Sequence, residues 1–198
     1  TSPMILAKCC HDFDILAWVL GQNPKKLVSF GELNHFRLEN APEGAPLHCL
    51  DGCPVENTCP YYAPNIYQKM APFWSGVADT AKGMPRWAAK TYTENPGLVR
   101  ALSLFLPQFK QITQYSGWPL SVLAEDPSPE NIEKALQTGP YGRCVYHCDN
   151  NVVDHQVVMM QMEDAATVTL TMQGHSHFEH RSTRIEGSHG RLMAEFGN

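Results

Sequence analysis

The sequence lacks the features that mark nucleic-acid-binding and membrane proteins. Its 20 acidic residues outnumber its 15 lysines and arginines, which gives a formal charge of −5 over 198 residues. No basic stripe is present to replace the counterions on phosphates, and this argues against a nucleic-acid partner. The apolar runs are far shorter than the ~20 residues that span a bilayer, and no signal-peptide pattern opens the chain. We therefore expect no membrane association.

The cysteine content does not fit a disulfide framework. The chain has seven cysteines, an odd number, and Cys9 and Cys10 are adjacent. A secreted framework pairs an even set of cysteines in a much shorter chain, so we expect a reducing, cytoplasmic location. A hydrophobic content of 43% is sufficient for the core of one domain. Because the first residues include no natural start, we expect the chain to be a piece of a larger protein.

The opening segment has the pattern of a helix with a polar face. Residues 5–20 favour a helix that ends at Gly21. Lys8, His11 and Asp12 stand at positions i, i+3 and i+4, so one helical face would present an ammonium, an imidazole and a carboxylate together. Such a trio can bind and deprotonate a hydroxyl group. The alternative is an amphipathic helix in which His11 satisfies a buried partner.

Strand, loop and helix signals alternate through the middle of the chain. A strand is predicted over 26–36, with Gly31 marking either a bulge or a close approach of another segment. Residues 39–65 are rich in Pro, Gly and Cys, which predicts a long irregular loop. Helices are predicted at 61–70, at 96–111 with a kink or break at Pro107, and at 128–139 between a Ser128 cap and Gly139.

The last quarter of the chain alternates as β-strands do. Two hairpins are predicted, one joining 152–162 to 165–172 through Glu163–Asp164, the other joining 182–186 to 191–195 through Gly187–Gly190. Apolar residues alternate with Thr167, Thr169 and Thr171, so one sheet face would be apolar and the other rich in threonine. The predicted fold class is α+β, with helices packed on one face of a mostly antiparallel open sheet.

Two groups of side chains have the chemistry of metal ligands. Cys49, Cys53 and Cys59 lie in the 39–65 loop, and with His48 or a cysteine of the first helix they would surround a structural zinc ion tetrahedrally. Three buried free thiols are the alternative, because unpaired Cys is among the most buried residue types. His175 and His177 favour a solvated loop, with a divalent-cation site on one strand face as the alternative.

Several segments resemble the second half of the Gfo/Idh/MocA family of oxidoreductases. The matching segments are 11–16 before Gly21, 139–156, the Thr-alternating strand and 184–192. The resemblance implies that residues 1–198 form a C-terminal α+β domain, with 39–65 as a loop insertion, and that a dinucleotide-binding domain lies outside this chain. It further implies hydride transfer between NAD or NADP and a sugar or cyclitol, in a homo-oligomer formed through the open sheet face.

The resemblance also assigns roles to residues of this sequence. His11 falls where the family places a helix histidine that positions or deprotonates the reacting hydroxyl. The family often has an acidic residue where this chain has Ala7, so Lys8 is the candidate substitute as second catalytic residue. For a sugar, which requires several hydrogen-bonding side chains at once, the candidate binding residues are Asp12 of the helix trio and Tyr146, Asp154 and His155, although the polar run after Arg143 also fits an ordinary turn.

Cofactor binding is not expected within this chain. It has no Gly-x-Gly-x-x-Gly after a strand and no Glu-Lys-Pro at the family's catalytic lysine, so the isolated chain should be inactive. Two alternatives stay open. One is an NAD-dependent glycosidase of the same fold, and the other is a non-catalytic binding module held together by metal at the cysteine cluster.

Overall fold

The computed structural model describes residues 2–176 and 180–197. These divide into two compact units, one made of 1–41 and 145–179 and the other of 42–144 and 180–198. Helices and antiparallel strands both contribute, so the predicted α+β class is confirmed. No helix in the described ranges is long and apolar enough to cross a membrane.

The first unit contains two helices and a three-stranded sheet. Its elements are α1 (Met4–Ala7), α2 (Cys10–Leu20), β1 (Pro24–Glu32), a 3-10 turn (Leu38–Asn40), β2 (His155–Met162) and β3 (Thr167–Gln173). The helix predicted over 5–20 is divided, because Lys8 leaves the helical conformation at φ −127° and forms a turn with Cys9. The predicted end is confirmed by Gly21, whose φ of 63° stops α2.

The sheet of the first unit is antiparallel throughout, in the order β1-β2-β3. On one face, Val158, Met160 and Met162 are buried. Phe13, Leu16 and Leu20 of α2 pack against this buried strand face, as the alternation predicted. The opposite face carries the exposed threonines Thr167, Thr169 and Thr171 of β3.

Strand β1 is shorter than predicted, and a distant carboxylate explains the difference. The strand ends at Glu32 rather than near Phe36. Beyond it, the N–H groups of residues 34–36 donate to Asp154 instead of extending the ladder. Gly31 is a close approach rather than a bulge, because a Cβ there would lie 2.8 Å from the carbonyl oxygen of His155.

The second unit contains the helices of the middle segment and a separate hairpin. Its elements are a π-helix (Pro64–Gln68), α3 (Ala71–Thr80), α4 (Met84–Glu94), α5 (Pro96–Leu102), α6 (Pro107–Thr113), α7 (Leu120–Leu123), α8 (Pro129–Thr138), a 3-10 turn (Pro140–Gly142), β4 (His180–Gly187) and β5 (Gly190–Gly197). The predicted break before Pro107 is confirmed, as is α8, where the Ser128 hydroxyl accepts the Asn131 N–H. The second predicted hairpin is confirmed by β4 and β5. The helix predicted over 61–70 is reduced to the short π-helix.

The 39–65 loop is part of the hydrophobic core of the second unit. Cys49, Cys53 and Tyr62 lie in the same buried cluster as Trp74 and Leu136. The chain around Cys49 is held by an antiparallel bridge between His48 and Arg143. The loop is irregular, as predicted, but it is anchored to the helices by apolar side chains.

Candidate functional site

Polar side chains of the first unit converge at one end of the sheet. In the register, His155 of β2 pairs with Glu32 of β1 and with Gln173 of β3. Because both neighbours are antiparallel to β2, the segments that follow β1 and β3 lie beside the segment that precedes β2. This arrangement brings together five side chains, which we call the sheet-end cluster: His35, Tyr146, Asp154, His155 and His175.

Asp154 is the anchor of the sheet-end cluster. Its side chain is only 2% exposed, and Oδ2 accepts backbone N–H groups from Asn34, His35 and Phe36 at 3.0, 2.6 and 3.1 Å. Its own N–H donates to the carbonyl of Glu32. The carboxylate therefore fixes the loop that follows β1.

Hydrogen bonding keeps Asp154 ionised despite its burial. Burial by itself would raise the pKa of Asp154, but hydrogen bonds from the His155 ring and from the backbone of Phe36, His35 and Asn34 lower that pKa to about 2. The His155 Nδ1 lies 2.9 Å from Asp154 Oδ1. When Nδ1 donates to the carboxylate, the other ring nitrogen is left for a ligand.

The remaining members of the cluster form a ring contact network. His35 Nε2 lies 3.2 Å from the Tyr146 hydroxyl. The ring centroid of His35 is 4.7 Å from that of His175 and 5.5 Å from that of Tyr146. Tyr146 is buried, whereas the three histidines are partly exposed. The cluster thus combines two buried groups, the Asp154 carboxylate and the Tyr146 phenol, with three imidazoles that solvent can reach.

One combination in the cluster has the spacing of metal ligands. In the described ranges, a single group of three or more His, Cys, Asp or Glu residues offers ligand atoms that all lie within 4.8 Å of one another, and it consists of Asp154, His155 and His175. For His175 and His177 the sequence favoured a solvated loop over a divalent-cation site; His175 lies in a turn, and His177 lies outside the described residues. The cysteines do not form such a group.

The predicted substrate-binding residues are divided between the cluster and the first helix pair. Tyr146, Asp154 and His155 come together, as expected for parts of one pocket. His35 is not among the residues predicted from the sequence, since no local motif marks it. His35 joins the cluster because its backbone N–H donates to the carboxylate of Asp154, 119 residues further along the chain.

The predicted helical face of Lys8, His11 and Asp12 is not formed as a continuous surface. Lys8 lies in the turn between α1 and α2, with its N–H bonded to the carbonyl of Met4. His11 is exposed and Asp12 is half-buried in the first turn of α2. The prediction that Lys8 shares one helical face with His11 and Asp12 is therefore wrong. The catalytic and binding roles of these three residues stay predictions.

The cysteines of the 39–65 loop have Cys144 as a neighbour. None of the seven cysteines, all of which lie in the described ranges, forms a disulfide bond. Burial raises the pKa of Cys49, as do the nearby thiols of Cys144, Cys53 and Cys59, while the backbone of Ala63 donates to its sulfur. Backbone hydrogen bonds of 2.8 Å from Cys49 to Gly142 and from Cys144 to Leu47 hold the two segments side by side.

Comparison with known proteins gives one relevant similarity. Over 61 residues, or 28% of this chain, the sequence is 38% identical to the oxidoreductase-named protein YteT of Bacillus subtilis (strain 168). The matched stretch covers 14% of the length of that protein. No family model and no solved structure matches the chain. The similarity links part of the chain to an oxidoreductase by name.

Proposed function

We propose that this chain is the substrate-binding and oligomerisation part of an NAD(P)-dependent oxidoreductase that acts on a hydroxyl or carbonyl group of a sugar or cyclitol. The observation that carries the proposal is the sheet-end cluster, which gathers a carboxylate, three imidazoles and a phenol at one end of the sheet. A polyhydroxylated substrate requires several hydrogen-bonding groups at once. The similarity to the oxidoreductase-named YteT supports the reaction class.

The residues of this chain would bind and orient the substrate. In the ion-free chain the Asp154 carboxylate is buried and bonded to His155 Nδ1, so toward a sugar it orients His155, whose side chain is 38% exposed. His155 and His175 then offer ring nitrogens to substrate hydroxyls. Bound NAD(P), held by a domain outside this chain, would supply the hydride acceptor. The family resemblance assigns the removal of the hydroxyl proton to His11, which lies in the first turn of α2 and outside the sheet-end cluster.

Kinetics of the full-length protein test the proposed roles. His11→Ala should lower kcat by about a hundredfold, because general base catalysis contributes about 10²–10⁴-fold. His155→Asn should mainly raise KM, by about tenfold, through the loss of a hydrogen bond to substrate. His189→Ala, in the exposed turn of the β4–β5 hairpin, is the matched control and should leave both constants unchanged. Unchanged kcat and KM in both His155→Asn and His11→Ala would contradict the proposal.

The open face of the three-stranded sheet is the proposed contact with a second copy of the chain. Beside the threonines it exposes apolar side chains, with Phe30 at 70%, Met159 at 51% and Val28 at 47% exposure. An exposed apolar sheet face of this kind is typical of a subunit interface. Family resemblance implies the same use of this face.

Light scattering on the full-length protein tests this contact. Phe30→Glu should convert the oligomer to smaller species, because the buried charge would be unpaired at the interface. Phe105→Glu, at a position 82% exposed in the second unit, is the control and should leave the mass unchanged. A monomeric wild-type protein would contradict the proposed interface.

A structural zinc ion in the 39–65 loop belongs to the same proposal. Its ligands would be Cys49, Cys53 and Cys59, with Cys144 as the fourth because the backbone bonds hold it beside Cys49. Burial raises the pKa of Cys49 and of Cys59 in the chain without metal, and backbone N–H groups of Ala63 and Tyr61 that donate to these sulfurs act in the opposite direction. Zinc binding would have to displace the thiol protons.

Zinc analysis of protein purified without chelator tests this ion. Cys53→Ser should lower the zinc content by one ion per chain and reduce thermal stability, because structural zinc contributes roughly 10 kcal/mol of apparent binding free energy. Cys10→Ser, at an exposed position of α2, should change neither. A zinc content far below one per chain, with no loss of stability on adding a chelator, would leave the cysteines as core residues.

A further inference from the structure

We propose that Asp154, His155 and His175 bind a divalent transition-metal ion at the end of the sheet. One ligand atom of each residue lies within 4.8 Å of the other two. The closest pair, Asp154 Oδ1 and His155 Nδ1, is 2.9 Å apart. Ligands bonded at about 2.1 Å lie about 3.0 Å apart in octahedral and about 3.4 Å apart in tetrahedral coordination, so the separation of this pair is close to that of neighbouring ligands on one octahedral ion.

The surroundings of Asp154 prepare it as a metal ligand. Its Oδ2 is occupied by three backbone N–H donors, from Asn34, His35 and Phe36. Its Oδ1 is hydrogen-bonded to the His155 ring, and an ion would replace the proton shared by that pair. Carboxylates that bind metals are themselves fixed by such outer hydrogen bonds, which hold the ligand oxygen in place.

The three ligands come from positions that the fold fixes relative to one another. Asp154 directly precedes β2, and His155, the first residue of β2, is paired with Gln173 at the end of β3. Gly174 donates its N–H to the carbonyl of Asp154 at 2.6 Å, which ties the residue before His175 to the first ligand. A Cβ on Gly174 would lie 2.8 Å from that oxygen, so glycine permits this approach.

The donor set selects the class of ion. Two imidazoles and one carboxylate suit Zn²⁺, Mn²⁺, Fe²⁺, Co²⁺ or Ni²⁺, whereas Mg²⁺ and Ca²⁺ prefer oxygen ligands alone. His155 and His175 are partly exposed, so water or a substrate hydroxyl can reach the remaining coordination positions. A plain Asp–His hydrogen bond would account for the first two residues but does not require a third ligand within 4.8 Å.

The inference does not rest on the proposed oxidoreductase function, since it concerns ion binding by the chain itself. The proposed ion site is also distinct from the zinc site proposed at the cysteines, because its ligands are nitrogen and oxygen atoms rather than sulfur atoms. Cobalt distinguishes the two sites: a thiolate site gives an intense sulfur-to-cobalt charge-transfer band in the near ultraviolet, and a site of nitrogen and oxygen ligands does not. The background for the test is therefore Cys49→Ser/Cys53→Ser, which removes two of the four thiols.

The experiment is a titration of the chelator-treated 198-residue chain with Co²⁺ and Zn²⁺. In the double-Ser background we expect one Co²⁺ per chain with weak visible bands and no thiolate band, and one Zn²⁺ by calorimetry. His175→Ala and His175→Gln should each weaken binding by at least about thirtyfold, in the upper part of the range for disturbed metal sites. His189→Ala should leave the affinity unchanged. If the double-Ser variant is unfolded by circular dichroism, the same titration is read in the wild-type chain, as the difference between it and His175→Gln.

Two results would overturn the inference. One is that neither the double-Ser variant nor the wild-type chain binds Co²⁺ or Zn²⁺ through nitrogen and oxygen ligands. The other is equal affinity in wild type and in both His175 variants, which would leave the cluster as a hydrogen-bonding site without an ion. Loss of ion binding in the His175 variants with unchanged binding in His189→Ala supports it.

Discussion

Replacing Gly142 by Ala is expected to destabilise the second unit by at least about 3 kcal/mol, at the upper end of single-residue effects. A methyl group at this position would overlap the carbonyl oxygen of Leu136, in the last turn of α8. Leu136 is fully buried, and Gly142 itself accepts the N–H of Cys49 at 2.8 Å. The backbone cannot move away from α8 without loss of the bridge that anchors the 39–65 loop, so the overlap is not easily relieved.

Urea unfolding of the variant measures the effect. Gly76→Ala is the matched control, because Gly76 lies inside α3 and a Cβ there meets nothing within 4 Å. Alanine should stabilise that helix by about 0.5–1 kcal/mol through its higher helix propensity. A free energy of unfolding for Gly142→Ala within about 1 kcal/mol of wild type would contradict the expected overlap.

Elements that begin and end at recognisable capping or turn residues could be predicted from the sequence. Helix α8 has a Ser128 cap and a terminal Gly139, and both hairpins have short turns between alternating strands. Helices α3 and α4 have a proline in the first turn but neither a side-chain cap nor a terminal glycine. They follow Met70 at φ 50° and Gly83 at φ 66°, neither of which caps the helix through its side chain. Their packing, not their caps, defines them.

The site could be predicted only in part, because long-range contacts assemble it. Tyr146, Asp154 and His155 lie close in sequence and were found from their chemistry. His35 enters the cluster because Asp154 holds the loop after β1, and this contact crosses 119 residues. The role of Cys144 depends in the same way on the pairing of 47–49 with 142–144. The break at Lys8 likewise has no signature in the helical periodicity.

The other large effect is expected at Asp154, where Asp154→Asn should lower the free energy of unfolding by about 2 kcal/mol at pH 7. The folded-state pKa of Asp154 is lowered from 3.8 to about 2, because hydrogen bonds from His155 and three backbone N–H groups outweigh the effect of burial. The amide of Asn keeps the shape of the side chain and removes its charge. The variant therefore loses the charge-assisted part of these four hydrogen bonds.

The pH dependence of this difference has a defined sign. Because the folded pKa lies below the unfolded value of 3.8, the ionised carboxylate contributes its full stabilisation above about pH 4 and loses it as the pH falls through about 2. Wild type and Asp154→Asn should therefore differ by about 2 kcal/mol at pH 7 and converge between pH 4 and about 2. Urea unfolding at several pH values, with exposed Asp79→Asn as a control that stays within about 0.5 kcal/mol of wild type, measures this. A difference that persists unchanged at pH 2, or none at pH 7, would show that the charge of Asp154 does not stabilise the sheet-end cluster.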